Sequence, residues 1–192
     1  SENVSYVDLS TYFGEYEGSF VLYDLENDAW SIHDMEHATL RVAPNSTYKI
    51  YDALFGLEEE IITPENSFIA WNGETYPFEA WNADQTLQSA MNSSVNWYFV
   101  SVDEQLGAAN ISNYIEEIGY GNENISGDFS TYWMESSLKI SPIEQVELLT
   151  RLQNNSLGFA PENINAVKDA FCLSSSDAGT FYGKTGTGRV DG

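Results

Sequence analysis

The segment that decides the fold is residues 43–54, Ala-Pro-Asn-Ser-Thr-Tyr-Lys-Ile-Tyr-Asp-Ala-Leu. Its first three residues, Ala-Pro-Asn, interrupt regular secondary structure. The residues after them carry apolar side chains at helical spacing, with no breaker before Gly56. This pattern predicts a buried helix that begins near Ser46. Ser46 and Lys49 then lie one helical turn apart on the same face, within reach of each other.

The Ser-x-x-Lys spacing has two interpretations. The free N–H groups and the dipole at a helix N-terminus favour negative charge on Ser46, and a buried Lys49 with a lowered pKa can act as an uncharged base. Ser46 would then be a nucleophile. On the spacing alone, a helix N-cap is the simpler role for Ser46.

Outside this segment the pattern predicts strands, then a helical body, then strands. We expect β structure over 6–40, including a hairpin, then a loop-rich region at 120–140 and a final strand at 179–187. Helices are predicted over 85–102, 108–118 and 161–173. Another begins at Ser141-Pro142, with Ser141 as N-cap and Glu144 at N3 as in a capping box. No repeat, linker or composition shift divides the chain. The sequence therefore predicts a single α+β domain over residues 1–192.

The composition excludes several kinds of partner. The formal net charge is −23, from 30 acidic and 7 basic residues, which argues against nucleic acid or an anionic membrane surface as a partner. Cys172 is the only cysteine, so no internal disulfide can form, and its apolar neighbours predict a buried core residue. His33 and His37 have metal-like spacing only if they share a helix. No third ligand is evident, so we expect no metal site.

Two further motifs stand downstream of Lys49. Lys184-Thr185-Gly186-Thr187 lies in a strand-like stretch, where lysine and threonine can bind a carboxylate and glycine lets a ligand approach the backbone. A glycine-rich edge strand is the plainer interpretation. Ser94-x-Asn96 lies on the predicted 85–102 helix. Ser-x-x-Lys, Ser-x-Asn and Lys-Thr-Gly in this order are the motif set of penicillin-binding proteins and serine β-lactamases, and their joint occurrence is far more specific than any one of them.

On these motifs the sequence resembles the class D β-lactamases, and still more the penicillin-sensor domain of the BlaR1/MecR1-type transducers of Gram-positive bacteria. The resemblance runs from about residue 20 onward. Besides 43–54, it is carried by residues 80–91 (Ala-Trp-Asn-Ala-Asp-Gln-Thr-Leu-Gln-Ser-Ala-Met), 120–122 (Tyr-Gly-Asn) and 132–142 (Tyr-Trp-Met-Glu-Ser-Ser-Leu-Lys-Ile-Ser-Pro). It implies an antiparallel sheet flanked by helices, plus a helical subdomain. In the family more strands and a C-terminal helix follow Lys-Thr-Gly, and we expect these to be missing from residues 1–192.

The resemblance also implies catalytic roles. Ser46 would be the nucleophile acylated by a β-lactam, and Lys49 its base, which in this family takes up CO2 to become a carbamate. Ser94 would relay a proton to the leaving nitrogen. No other cofactor is implied. Trp133 matches a tryptophan that packs near the modified lysine, although a plain core role fits it as well.

The same resemblance implies a ligand-binding edge. Lys184 and Thr185, followed by Gly186, would hold the β-lactam carboxylate. The backbone N–H groups of Ser46 and Thr187 would form an oxyanion hole, which stabilises the tetrahedral intermediate.

Position 96 separates hydrolase from sensor. Class D enzymes carry an apolar valine there, which shelters the carbamate, whereas the sensors carry asparagine, as this chain does. Asn96 makes the pocket polar and favours loss of CO2, so the acyl group should persist. The resemblance thus implies an extracellular sensor domain of a membrane protein, with a membrane-embedded zinc protease domain as partner. A hydrolysing class D β-lactamase is the alternative.

Overall fold

The computed structural model describes residues 3–189. The strands are β1 (Asn3–Tyr6), β2 (Phe20–Asp24), β3 (Ala29–His33), β4 (Cys172–Ser176) and β5 (Gly179–Tyr182). The helices are α1 (Ser10–Phe13), α2 (Met35–Thr39), α3 (Lys49–Glu58), α4 (Leu87–Asn92), α5 (Asn96–Leu106), α6 (Ala108–Ile118), α7 (Pro142–Gln153) and α8 (Pro161–Ala170). Short 3-10 turns occupy Asn45–Tyr48 and Glu79–Trp81. The predicted α+β class is confirmed.

The first sheet has the strand order β1-β3-β2. The predicted hairpin is confirmed, because β2 and β3 pair antiparallel from Phe20 opposite His33 to Asp24 opposite Ala29. The sheet is mixed where an antiparallel one was expected, because two reversals of the chain bring β1 parallel to β3. The second sheet is the antiparallel pair β4 and β5.

The prediction of β structure throughout 6–40 was wrong at α1 and α2. Asp34 begins α2 because its side chain accepts the backbone N–H of His37, a local bond that competes with strand pairing. His33 therefore ends β3 while His37 lies in α2, and the two do not share a helix. Within residues 3–189 no group of three potential metal ligands comes together.

Helix α3 lies at the centre of the core. Its residues from Lys49 to Leu57 are all buried, and α5 and α8 pack against it. Gly56 allows the close approach of α5, because a Cβ there would lie 2.6 Å from Cγ1 of Val102. The predicted buried helix is confirmed, preceded by the 3-10 turn that carries Ser46.

The single helix predicted over 85–102 is two helices in the structure. Thr86 starts α4 with a capping box. Between α4 and α5, Ser94 has a φ of 52°, in the left-handed region, which interrupts the helical backbone. The side chain of Trp81 donates from Nε1 to the carbonyl oxygen of Ser93 at 3.0 Å, which fixes the break. The interruption places Ser94 on a tight turn and Asn96 at the first residue of α5.

The observed elements of the C-terminal third agree in part with those predicted from the sequence. Ser141 caps α7 through the predicted capping box with Glu144. Helix α8 ends at Ala170 rather than at 173, and Cys172 starts β4 with partial exposure, so its predicted burial was wrong. The last strand ends at Tyr182, and residues 184–187 leave the sheet because they pack along the turn that carries Ser46. No helix within residues 3–189 has the length and apolar character needed to cross a bilayer.

Candidate active site

Ser46 lies in a turn that its neighbours hold from several sides. The backbone N–H of Asn45 donates to the carbonyl oxygen of Trp133 at 3.0 Å. Thr47 donates from Oγ1 to the carbonyl oxygen of Pro44 at 2.7 Å and accepts from Gln145 at 2.8 Å. The Ser46 side chain caps neither the 3-10 turn nor α3. The helix-cap interpretation of Ser46 was therefore wrong, and its hydroxyl is free for another role.

Lys49 is the most constrained polar group of the site. It is fully buried, and its Nζ lies 2.9 Å from Ser46 Oγ, 2.9 Å from Ser94 Oγ, 2.8 Å from the Ser94 carbonyl oxygen and 2.6 Å from Asn96 Oδ1. Burial above all, together with the charge of Lys184, lowers the pKa of Lys49 to about 7, while Asp52 acts in the opposite direction. Lys49 can thus lose its proton near neutral pH.

When Lys49 is neutral, the groups around its Nζ fix the direction of the amine lone pair. The Ser94 carbonyl and Asn96 Oδ1 only accept hydrogen bonds, so they take the two N–H bonds of the amine. The lone pair then faces the hydroxyl groups of Ser46 and Ser94, both of which can donate. This arrangement makes Lys49 an acceptor for the Ser46 proton.

Ser94 connects the two amines of the site. Its Oγ lies 2.9 Å from Lys49 Nζ and 3.0 Å from Lys184 Nζ. Its left-handed backbone conformation is held by two indoles in series, because Trp97 donates from Nε1 to the carbonyl oxygen of Trp81 at 2.8 Å while Trp81 binds the carbonyl of Ser93. A proton can pass from one amine toward the other through this hydroxyl.

Asn96 spans the pocket beside Lys49. Its Oδ1 accepts from Lys49, and its Nδ2 donates to the sulfur of Met134 at 3.1 Å. Both ends of the amide are therefore occupied. An apolar residue at this position would remove one of the acceptors that face Nζ.

The segment 184–187 forms the open edge of the site. Burial lowers the pKa of Lys184, whose Nζ also donates to the carbonyl oxygen of Thr185 at 3.0 Å. A Cβ on Gly186 would lie 2.8 Å from the Pro44 carbonyl oxygen, so glycine is needed for this segment to lie against the Ser46 turn. Thr185 and Thr187 are exposed at the same edge, available to a ligand.

Trp133 combines the two roles considered from the sequence. It is fully buried in the core, and its ring also lies over Lys49 Nζ at 5.3 Å to the ring centroid. Phe99 covers Nζ from another side at 5.5 Å. The indole Nε1 of Trp133 donates to Asp103 Oδ2 at 3.1 Å. The structure thus brings Trp133 together with the predicted residues around Lys49 Nζ, which are Ser46, Lys49, Ser94, Asn96 and Lys184.

Sequence reasoning missed two acids below Lys49. Asp52, one turn further along α3, and Asp103 on α5 are both fully buried. Burial raises the pKa of Asp103 to about 7, and burial together with the charge of Asp103 holds the pKa of Asp52 well above its usual range. The signal that could have revealed them is a charged side chain in an otherwise apolar helix face.

The comparisons with known proteins agree with this geometry. Residues 18–192 match the family described as the penicillin binding protein transpeptidase domain. The chain is 42% identical over 192 residues to the regulatory protein BlaR1 of Bacillus licheniformis, covering 99% of the chain and 32% of that protein. It is also 42% identical over 192 residues to the methicillin resistance mecR1 protein of Staphylococcus aureus, covering 98% of the chain and 33% of that protein. The chain therefore spans about a third of the length of these curated relatives.

Two solved structures have the same fold. The C-terminal domain of the Bacillus licheniformis BlaR penicillin-receptor matches with a TM-score of 0.95 at 42% identity, covering 99% of this chain and 78% of that one. A class D β-lactamase from Bacillus subtilis matches with a TM-score of 0.91 at 35% identity, covering 94% of this chain and 76% of that one.

The chain belongs to the penicillin-binding protein transpeptidase family, with a class D β-lactamase-like fold. Within that family its relatives include BlaR1 and MecR1 proteins, and the resemblance predicted from the motifs is confirmed.

The buried acid pair predicts a dependence of stability on pH. Because the pKa of Asp52 is raised well above its usual range and that of Asp103 to about 7, the folded state binds more protons than the unfolded state between about pH 4 and 7. The contribution of this pair to stability is largest below the unfolded pKa and falls as the pH rises through this window, by about 1.4 kcal/mol per pH unit for each extra proton. Asp52→Asn should raise the free energy of unfolding at pH 7 and flatten the fall.

Urea unfolding at pH 5, 6 and 7 measures this effect. Asp177→Asn removes the same charge at an exposed position and serves as the matched control. If the free energy of unfolding falls with rising pH by the same amount in Asp52→Asn, in the control and in the unmodified chain, the pair does not hold the extra proton.

Proposed function

We propose that this chain is a β-lactam sensor domain, acylated at Ser46 by β-lactam antibiotics to give a long-lived acyl-protein that signals induction of resistance. One observation carries the proposal: Lys49 Nζ lies 2.9 Å from Ser46 Oγ while Asn96 Oδ1 lies 2.6 Å from the same nitrogen. The first contact provides a base for acylation. The second places a polar amide where the base would have to act again during hydrolysis.

The acylation step uses groups already in contact. Lys49 takes the hydroxyl proton of Ser46 as Oγ attacks the carbonyl carbon of the lactam. The backbone N–H groups of Ser46 and Thr187 are the oxyanion donors in this proposal. The lactam C–N bond then breaks, and the proton passes from Lys49 through Ser94 to the leaving nitrogen, since Ser94 Oγ lies 2.9 Å from Nζ.

The binding edge supplies the positive charge that the ligand needs. β-Lactam antibiotics carry a carboxylate, and Lys184 is the cation nearest to Ser94 and Lys49 at the open edge of the site. Thr185 and Gly186 are exposed beside it. These residues would hold the carboxylate while the lactam carbonyl meets Ser46.

A carbamate on Lys49 fits these surroundings poorly. Its two oxygens would need hydrogen-bond donors, whereas the Ser94 carbonyl and Asn96 Oδ1 both present acceptors to Nζ. In this proposal the free amine of Lys49 is therefore the base. Lys49 is neutral once it has passed the Ser46 proton to the leaving nitrogen. If it then takes up a further proton from solvent, it has no lone pair to activate a water, and the ester persists.

The larger protein belongs to the proposal as well. BlaR1 and MecR1 relatives are about three times the length matched here. We place the chain on the extracellular face of the cytoplasmic membrane, with a membrane-embedded zinc protease domain of the same protein as the partner that receives the signal. A class D β-lactamase is the alternative function, favoured by the 35% identity to the enzyme from Bacillus subtilis.

Labelling with a fluorescent penicillin tests the nucleophile and separates the two functions. Ser46→Ala should abolish labelling, and Ser112→Ala, a serine on α6 away from the site, should leave it unchanged. With a chromogenic cephalosporin the unmodified chain should give a burst of one equivalent and a stable adduct by mass spectrometry over hours. Labelling retained in Ser46→Ala would end the nucleophile assignment, and many turnovers per molecule would favour the hydrolase.

Replacing Asn96 tests the origin of the persistent ester. Asn96→Val removes the acceptor 2.6 Å from Nζ and makes the pocket apolar, so retention of a carbamate on Lys49 and the rate of deacylation should both rise, the latter by about tenfold or more for the loss of one hydrogen bond to a charged group. Labelling with 13C-bicarbonate and release of the acyl group measure the two quantities. Asn92→Val, at an exposed position, is the matched control. If neither quantity changes, Asn96 is not the determinant.

The pH dependence of acylation tests the role of Lys49. Because burial lowers the pKa of Lys49 to about 7, the lysine is protonated and inactive as a base below that pH, so the acylation rate should rise through about pH 7 and then level. Stopped-flow labelling from pH 5.5 to 8.5 measures this profile. Lys139→Ala, an exposed lysine, should keep it, whereas Lys49→Arg should lose acylation throughout. A flat profile would exclude Lys49 as the base.

A further inference from the structure

The short stretch 94–96 between α4 and α5 supplies three of the oxygens that contact Lys49 Nζ. They are the Ser94 carbonyl oxygen at 2.8 Å, Ser94 Oγ at 2.9 Å and Asn96 Oδ1 at 2.6 Å. Ser94 Oγ also lies 3.0 Å from Lys184 Nζ. A small rotation of the backbone in this stretch would move all of these oxygens together. The groups that hold the stretch therefore decide the geometry of the site.

The backbone at Ser94 needs support from outside. Its φ of 52° lies in the left-handed region, which a residue with a Cβ adopts only at a cost in energy. The carbonyl of Ser93 and the N–H of Ser94 belong to one planar peptide unit, and the orientation of that plane sets φ at Ser94. On one edge of the plane the Ser94 N–H makes a long bond of 3.3 Å to the carbonyl oxygen of Met91. The other edge is held by a side chain.

That side chain is Trp81, which bonds to both ends of the stretch 93–97. Its Nε1 donates to the Ser93 carbonyl oxygen at 3.0 Å. Its own backbone carbonyl oxygen accepts from Nε1 of Trp97 at 2.8 Å. Because Trp97 follows Asn96 on α5, the stretch that carries the three oxygens is closed into a ring through one residue.

The turn that carries Trp81 is itself anchored to α4. The buried side chain of Gln85 donates from Nε2 to the carbonyl oxygens of Ala80 at 2.8 Å and Ala83 at 3.0 Å. Its Oε1 accepts from the hydroxyl of Ser89 on α4 at 2.8 Å. Trp81 is therefore fixed to the helix that the stretch 93–97 follows, and it cannot shift without the loss of these bonds.

We propose that Trp81 and Trp97 are positioning residues for acylation, whose indole N–H bonds act in series to hold the Ser94 hydroxyl between the two amines of the site. The inference rests on the proposed function. In that reaction the lactam C–N bond breaks, Ser94 Oγ gives its proton to the leaving nitrogen, and the proton released by the nucleophile reaches Ser94 by way of the base. Neither indole takes part in these transfers. A displaced hydroxyl would slow the proton transfer and leave the groups that bind the ligand carboxylate in place.

Trp97→Phe is the first test, because it keeps an aromatic ring and removes the N–H that binds residue 81. Acylation by a fluorescent penicillin at several concentrations gives the limiting rate constant and the half-saturating concentration. We expect the rate constant to fall by about fivefold, the effect of one neutral hydrogen bond, and the half-saturating concentration to stay within about twofold. An unchanged rate constant would overturn the inference.

Trp71→Phe is the matched control. The Nε1 of Trp71 donates to the carbonyl oxygen of Glu74 at 2.8 Å, a bond of the same kind that does not involve the stretch 93–97. The substitution should leave both the rate constant and the half-saturating concentration unchanged. If it slows acylation as much as Trp97→Phe does, the effect does not pass through Ser94 and the inference fails.

A double variant distinguishes bonds in series from two separate effects. Trp81→Phe removes the bond to Ser93 but keeps the backbone carbonyl that Trp97 binds. Without the link to Ser93, the Trp97 bond no longer reaches the Ser94 turn. Trp81→Phe/Trp97→Phe should therefore be acylated at the same rate as Trp81→Phe alone. Two losses that multiply would show that the indoles act independently, contrary to the proposal.

Hydrogen exchange in the unmodified chain covers the case in which a variant does not fold. With 15N-labelled tryptophan, the Nε1–H groups of Trp81 and Trp97 should exchange more slowly than that of Trp71, whose bond is exposed. Equal exchange rates would contradict the proposal. Labelling of Ser46 by penicillin is recorded on the same sample. Its absence would count against the proposed function, whereas the exchange rates report on the indole bonds by themselves.

Discussion

The burial of one lysine amine is the constraint on which the site depends. An unpaired charge at the position of Lys49 would be strongly unfavourable, so the fold must either supply acceptors for its N–H bonds or remove its proton. The structure does both, with two pure acceptors on Nζ and a pKa lowered to about 7 by burial. The same balance makes Lys49 a usable base. Stability and chemistry therefore depend on the same contacts.

Two irregular pieces of backbone exist to complete these contacts. The left-handed turn at Ser94 interrupts a stretch that would otherwise continue as one helix, and it brings both a carbonyl and a hydroxyl oxygen to Nζ. Gly186 lets the segment with Lys184 lie directly against the Ser46 turn, with no room for a Cβ. Both the turn at Ser94 and the segment at Gly186 depart from regular secondary structure at the point where they contact the site. Local strain and close packing thus mark the functional positions.

The sequence predicted the parts of the site that depend on local spacing. Ser46 and Lys49 are one turn apart on any helix, and the ordered motifs identified Ser94, Asn96 and Lys184 as their partners. It did not predict the break at Ser94, because that turn is held by Trp81, which lies outside the helical pattern. The pairing of Asp52 with Asp103 is a tertiary contact between α3 and α5, and no spacing rule along the chain reveals it.

Ligand binding and the protonation of Lys49 are linked on the proposed function. The charge of Lys184 is one reason why the pKa of Lys49 is low. A carboxylate bound at Lys184 would offset that charge, so the pKa of Lys49 would rise while the ligand is held. A Lys49 that takes up a proton after acylation then keeps it, with Asn96 Oδ1 and the face of Trp133 as partners for the ammonium. The bound antibiotic would itself help to disable the base that hydrolysis requires, which suits a protein whose acyl group must outlast the encounter.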